Sequence, residues 1–216
     1  RGQLRLAVVS TAKYFMPRLV GSFCKKYPSI DLSLEILNRD GVLDRLRHNK
    51  DDLYIMSKPP TDVKLDDQVF MPNPIVLIAP ASHPLTKQKR VTLNDLKAHR
   101  FILREQGSGT RMTADEHFRK KRFHPDVRLE LGSNEAVKEA VAGGLGVGVL
   151  SIHALHGHQR EHGAAVVSAD GFPIASSWHL VHPESKNLSP IASAFKRHVL
   201  KQIQNSALLK GLPVQS

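Results

Sequence analysis

The chain has 216 residues, 41% of them hydrophobic and 24% charged, which is ordinary for a globular protein of one or two domains with a real core. Lysine and arginine outnumber aspartate and glutamate by 31 to 20, a formal net charge of +11 that favours acidic partners: phosphorylated metabolites, nucleic acid or an anionic surface. No apolar run is long enough to span a membrane, no charged-then-apolar leader opens the chain, and the single cysteine, Cys24, excludes an internal disulfide and fits a reducing cytoplasm.

Leu4 to Val9 alternates and then runs apolar, predicting a strand in a buried sheet. That opening reads as a strand entering a domain, so the chain is expected to be a segment of something longer. From Ala12 to Tyr27 apolar residues recur at helical spacing at Phe15, Leu19, Val20 and Phe23. Pro17 predicts a short first turn and a restart with the proline in the opening positions, and Pro28 ends the helix. Cys24 sits within this apolar pattern and reads as core packing rather than a nucleophile. Ile30 to Leu37 alternates as a second strand, Asn38-Arg39-Asp40-Gly41 turns into a helix carrying Val42, Leu43 and Leu46, and Leu53 to Met56 is a third strand closed by Lys58-Pro59-Pro60. Strand, helix, strand, helix, strand is the signature of a parallel sheet with right-handed crossovers.

Val69-Phe70 and Pro74 to Ala79 predict further strands, and Pro80 to Pro84 breaks the pattern. A second, similar cycle starts at Val91. Thr92 to Leu96 is a short capped helix, Phe101 to Leu103 a strand, Met112 to Phe118 a helix, Val127 to Leu131 a strand, and Ser133 to Val137 opens another helix. Ala142 to Leu150 closes that helix and runs into a buried strand whose glycines allow close packing. Ser177 to His182 is a late strand, and Pro190 to Asn205 a helix with Ile191, Phe195, Val199 and Ile203 on one stripe, expected to pack back on the first half. The expectation is an α/β protein of two lobes, residues 1–79 with 183–216 and residues 80–182, with two crossing strands as a hinge beside an interlobe cleft.

In α/β lobes ligands bind in the loops at the carboxyl ends of strands. The loops in that position are Ser10-Thr11, Asn38-Arg39-Asp40, Lys58-Pro59, Arg104 to Arg111, and Ser133-Asn134-Glu135, all rich in donors. The segment Arg104-Glu105-Gln106-Gly107-Ser108-Gly109-Thr110-Arg111 carries most of the signal. Its glycines permit a sharp turn, Ser108 and Thr110 can cap a helix, free first-turn N–H groups favour an anion, and the arginines offer forked donors. The reading is an anion pocket; the segment lacks the Gly-Lys-Ser/Thr ending of a P-loop. Glu105 reads as an ion-pair partner of Arg104 rather than a general base.

No nucleophile elbow, His-Glu-x-x-His helix or dinucleotide fingerprint is present, so no catalytic residue and no cofactor is expected. His153, His156, His158 and His162 form a dense run without a nearby cysteine, read as an exposed loop or helix edge rather than a metal site. No helix-turn-helix or finger spacing accompanies the basic charge, and aromatic residues are only 6%, which argues against a base-stacking surface.

Gly2 to Ala7, Ser10 to Pro17, Ala81-Ser82-His83-Pro84-Leu85, Arg104 to Arg111 and Gly132 to Val137 together resemble the effector-binding domain of LysR-type transcriptional regulators, over essentially the whole chain. Ser10 to Phe15, Asp51-Asp52-Leu53-Tyr54-Ile55 and the Gly-Ser-Gly-Thr-Arg turn are similar to the branch that controls carbon dioxide fixation (Calvin-cycle) operons. The resemblance implies a periplasmic-binding-protein-like (type II) fold and an inducer in a hinged cleft. It also implies a domain dimer within a tetramer, and promoter DNA held by an N-terminal winged helix-turn-helix that this chain does not contain. Effectors in this branch are small anions such as ribulose bisphosphate, phosphoglycolate, phosphoenolpyruvate or NADPH. By position, Ser10, Thr11, Asn38 and Lys58 would serve the ligand from the first lobe, and Arg104, Ser108, Gly109, Thr110, Arg111, Asn134 and Glu135 from the second. Gln106 stands where many relatives have proline, and Lys58 where many have a neutral residue. A transporter's solute-binding protein and an enzyme on the same scaffold remain alternatives.

Overall fold

A computed structural model describes residues 2–155 and 163–205. The described residues divide into two compact units, 2–72 with 177–205, and 73–155 with 163–176.

Unit 1 is built on a five-stranded sheet in the order β2-β1-β3-β10-β4. Its strands are β1 (Gln3–Val9), β2 (Asp31–Leu37), β3 (Leu53–Met56), β4 (Leu65–Pro72) and β10 (Ser177–Pro183). β1 runs parallel to β2 and β3, as the alternation of strands and helices demands, whereas β10 is antiparallel to both β3 and β4. A 3-10 turn (Ser10–Tyr14) precedes α1 (Met16–Lys26), which has Pro17 in its first turn, where a missing N–H costs nothing. α1 buries Met16, Leu19, Val20 and Phe23, and α2 (Arg39–Arg47) buries Val42 and Leu46. α6 (Pro190–Gln204) returns to this unit as expected, and Phe195 meets Phe23 edge-on at 5.1 Å between ring centroids. Cys24 packs half-buried against the same core. The Asp51-Asp52-Leu53-Tyr54 segment has a structural reason for its residue types. Asp51 is buried and takes both Nε and Nη2 of Arg45, at 2.8 and 2.9 Å. The Tyr54 hydroxyl accepts the Asp51 N–H at 2.8 Å, and burial pushes that phenol up to about 12.

Unit 2 is built on a sheet in the order β7-β6-β8-β5-β9, with β5 (Ile75–Pro80), β6 (Arg100–Arg104), β7 (Asp126–Leu131), β8 (Val147–Ser151) and β9 (Ala164–Val167). β6 is parallel to β7 and β8, and β5 is antiparallel to β8 and β9. Side chains alternate between the two faces of a strand, and the core divides accordingly. Ile75, Leu77, Phe101, Leu103, Val147 and Val149 join Phe118 of α4 (Gly109–Lys120) on one face. Val76, Ile78, Ile102 and Leu150 join Val137 and Val141 of α5 (Asn134–Ala142) on the other. α3 (Leu93–Leu96) carries a complete capping box between Thr92 and Asp95.

Two expectations are corrected. The units exchange chain at 72/73 and 176/177, not at 79/80 and 182/183. The chain break read at Pro80 lies instead at Asn73, which is bracketed by Pro72 and Pro74 and donates its N–H to the Ser176 carbonyl at 2.8 Å. β5 consequently belongs with the second unit and β10 with the first, because pairing partners far along the chain decide membership, not the nearest proline. Of the histidine run, His153 is buried in a 3-10 turn (Ile152–Leu155) rather than exposed, while His156, His158 and His162 lie outside the described residues. Strand β9 carried too weak an alternation to be predicted.

Gly148 sits in β8 under α5. A Cβ there would come within 2.9 Å of Val141 and 3.2 Å of Val137 and Ile78, all buried. Gly148→Ala is therefore expected to lower stability by about 1–3 kcal/mol through overpacking, read from the denaturant midpoint. Three histidines are held below the ordinary value near 6.5: His99 by burial and His83, His117 by burial and the lysines Lys121 and Lys120, and His198 by burial and Lys26. Each binds its proton more tightly unfolded than folded, so stability falls as pH drops below about 6.5 toward the lowered folded values. Thermal unfolding between about pH 7.5 and pH 5.5 is expected to show that loss, and it shrinks in His117→Gln, whose Nε2 is buried without a hydrogen-bond partner among the described residues.

Candidate functional site

Ends of adjacent parallel strands are where the donor-rich loops fall, in each unit separately. In unit 1, β2, β1 and β3 lie side by side. Ser10 and Thr11 follow β1, with Thr11 buried; Asn38 follows β2 and caps α2 by accepting the Gly41 N–H at 3.0 Å; Lys58 follows β3. The last two loops are joined, since Arg39 Nε donates to the Lys58 carbonyl at 2.8 Å. The sequence places these residues one loop at a time; only the strand order makes them neighbours.

In unit 2, β7, β6 and β8 are adjacent, and α4 and α5 start at the ends of β6 and β7. The turn out of β6 spans Glu105 to Ser108, with the Ser108 N–H on the Glu105 carbonyl at 3.3 Å and Gly107 at φ 94°, a left-handed position that suits glycine alone. Ser108 then caps α4 by accepting the Arg111 N–H at 3.3 Å, and Gly109 and Thr110 form its first turn. Ser133 caps α5 by accepting the Ala136 N–H at 3.0 Å; Asn134 is buried and Glu135 stands in that first turn, where a carboxylate favours the helix dipole. Two helix N-termini thus open at the same sheet edge, each with N–H groups suited to an anion.

The two arginines are not the bare charges their flanking position suggests. Arg104 is only 2% exposed; its Nε donates to Glu105 at 2.7 Å and its Nη1 to Asn134 Oδ1 at 2.6 Å. Glu105 is the ion-pair partner the sequence indicated. Arg111 Nε donates to Asp115 at 2.9 Å, and its Nη1 donates to Glu130 at 2.8 Å and to the Arg104 carbonyl at 2.9 Å. Burial alone would lower its pKa, but the hydrogen bonds to Glu130 and Asp115 outweigh this and hold it above the ordinary value. Arg111 is a brace between α4, β6 and β7. The sequence could not show this, because Glu130 is 19 residues away and meets Arg111 only across the sheet. The strand ends of unit 2 carry backbone N–H groups, the Ser108 and Thr110 hydroxyls and the Asn134 amide, and those of unit 1 carry Ser10, Thr11, the Asn38 amide and the Lys58 ammonium.

Sequence reasoning missed the end of β8. Ser151 is fully buried there, donates to Asn73 Oδ1 at 2.5 Å and accepts the His153 N–H at 3.2 Å, and Lys138 of α5 reaches the Ala154 carbonyl at 2.8 Å. Among the described residues no group of three or more His, Cys, Asp or Glu is placed to hold a metal ion, and no helix is long and apolar enough to cross a membrane.

Because Arg111 ties three elements with charged hydrogen bonds, while its partners Asp115 and Glu130 are part-exposed and regain water once it is removed, Arg111→Ala is expected to cost about 1.5–3 kcal/mol of stability in all. Chemical denaturation measures that, and an unchanged midpoint would remove the brace from the account.

Against this geometry, comparisons with known proteins are consistent. A family model described as the LysR substrate binding domain matches residues 1–204. The HTH-type transcriptional activator CmpR of Synechocystis sp. is 44% identical over 195 residues, 90% of this chain and 64% of that protein. A RuBisCO operon transcriptional regulator of Acidithiobacillus ferrooxidans is 41% identical over 199 residues, 92% of this chain and 64% of that protein. The chain therefore spans about 64% of the length of these relatives. Among solved structures, the Synechocystis PCC6803 CcmR regulatory domain in complex with 2-PG is similar at 42% identity with a TM-score of 0.90, over 99% of this chain and all (100%) of that one. The effector binding domain of QuiR in complex with shikimate shares the fold, at 20% identity and a TM-score of 0.84 over 95% of this chain and 98% of that one. A match running from residue 1 to residue 204, on two α/β units of the periplasmic-binding-protein-like type II class, places the chain in the family of LysR substrate-binding domains.

Proposed function

We propose that this chain is the effector-sensing domain of a LysR-type transcription regulator of carbon-fixation genes, and that it binds a small phosphorylated anion without transforming it. The observation that carries the reading is the pair of helix N-termini and neutral donors at the end of the β7-β6-β8 sheet, in a chain 42% identical over its length to a regulatory domain described with 2-PG. The donors would be Ser10, Thr11, Asn38 and Lys58 in unit 1, and Ser108, Gly109, Thr110 and Asn134 in unit 2. Arg104 would act through Asn134, by fixing which way its amide points. Phosphoglycolate, ribulose bisphosphate, phosphoenolpyruvate and NADPH are the candidate ligands, and the net charge of +11 draws all four.

In the whole protein the ligand would shift a domain dimer, and through it a tetramer on promoter DNA, by binding one arrangement better than another. The DNA contacts would come from an N-terminal winged helix-turn-helix beyond this chain, in the cytoplasm. The regulator reading is favoured over a transporter's binding protein or an enzyme because CmpR and the RuBisCO operon regulator, at 44% and 41% identity, are named as regulators.

Calorimetric titration with the four anions tests this. One of them is expected to bind saturably, and Ser10→Ala to weaken it about three- to tenfold, the range for one neutral hydrogen bond, with the unliganded melting point unchanged. Absence of binding by all four, or full affinity in Ser10→Ala, would refute the site.

A further inference from the structure

The other end of the unit 2 sheet holds a basic basin. β6 has five residues, with Arg104 at its carboxyl end and Arg100 at its start, so the two ends are about 13 Å apart at ~3.3 Å per residue. At the Arg100 end, beside the end of β5 and the start of β8, lies a cavity of about 190 Å³. His83, His99, Arg100 and Arg128 line it, together with the turn through Gly144 and Gly146. None of these residues belongs to the strand-end loops described above.

The chemistry of the lining is specific. His83 Nδ1 accepts the Leu85 N–H at 3.1 Å, which places the proton of the neutral ring on Nε2 as a donor. The His99 ring stands 5.2 Å from that of His83 at 74°. Arg100 is shared with Asp126 at 3.2 Å. Arg128 makes only a long 3.5 Å contact to the Leu145 carbonyl, and no carboxylate pairs it among the described residues. The end of α5 does not oppose an anion with free carbonyls, because those of Glu139, Ala140 and Val141 already accept from Gly143, Leu145 and Gly144. The acidic groups facing the cluster are Asp95 of α3, near His99, and Asp126 of β7, on Arg100.

We propose that this basin binds a small phosphate-type oxyanion, either free phosphate or the phosphate of a metabolite, held by His83, His99 and the Arg128 guanidinium. The volume suits an ion of that size, and guanidinium and imidazole N–H groups are its usual donors. Burial and His83 hold His99 below the ordinary histidine value, with Asp95 opposing, so that ring is neutral near pH 7. A bound phosphate favours the protonated ring, so binding raises the His99 pKa. This site is independent of the effector reading.

The imidazole signals of His83 and His99, followed by NMR in the 216-residue chain, test the proposal. Inorganic phosphate and phosphoglycolate are titrated separately, against sodium chloride of equal ionic strength. Saturable movement of both rings with either phosphate, and a raised His99 pKa, is the expected result; the arm that saturates tells free from organic phosphate. Arg128→Gln, an exposed substitution, is expected to weaken the effect about tenfold, and His99→Gln to weaken the His83 response, while Ser10→Ala leaves both rings' response intact. Equal movement with chloride, or an unchanged titration in Arg128→Gln, would overturn the site.

Discussion

The contact on which the second unit depends is the buried guanidinium of Arg104 between Glu105 and Asn134. A buried arginine without partners would cost several kcal/mol, so the side chain is retained only because its donors are met on both sides. Asn134 begins α5 and Arg104 ends β6, so this one bond sets the start of the helix against the end of the strand. Arg111 repeats the device from α4, binding the Arg104 carbonyl and the Glu130 carboxylate of β7. The loops at this sheet edge are therefore positioned by charge satisfaction from beneath, on top of helix capping by Ser108 and Ser133.

This arrangement has a consequence for recognition. Arginines that offered their full charge would hold any anion. With Arg104 matched by Glu105, and Arg111 by Asp115 and Glu130, the edge presents oriented N–H groups and hydroxyls instead. Such donors reward a ligand whose oxygens fit their directions and penalise one that leaves them unmet. The general attraction of anions is left to the net charge of the chain, and unpaired cationic groups such as Arg128 lie at the opposite end of the sheet.

The cores explain why the helices can be read so well. In unit 2 each strand sends alternate residues to opposite faces, Phe101 and Leu103 one way and Ile102 the other, and each face is closed by a different helix. Gly148 thins the sheet where α5 crosses it. In unit 1, Phe15 meets Trp178 at 5.3 Å, tying the turn after β1 to β10 from the far end of the chain. Strand β10 is thereby drawn into the first sheet.

By itself the sequence determined the elements formed by neighbours along the chain. The strands β1, β2, β3, β6 and β8, the restart of α1 at Pro17, the caps at Asn38, Ser108 and Ser133, and the Gly107 turn all follow from local periodicity and backbone sterics. The donor-rich loops were legible for the same reason, and so was the pairing of Arg104 with adjacent Glu105. Tertiary structure decided what depends on distant partners. It assigned β5 and β10 to their units, put the exchange of chain at Asn73, buried His153, and tied Arg111 to Glu130 across the sheet. A side chain's type is written in the sequence, but whether its charge is free is settled by whatever else the fold packs within about 3 Å of it.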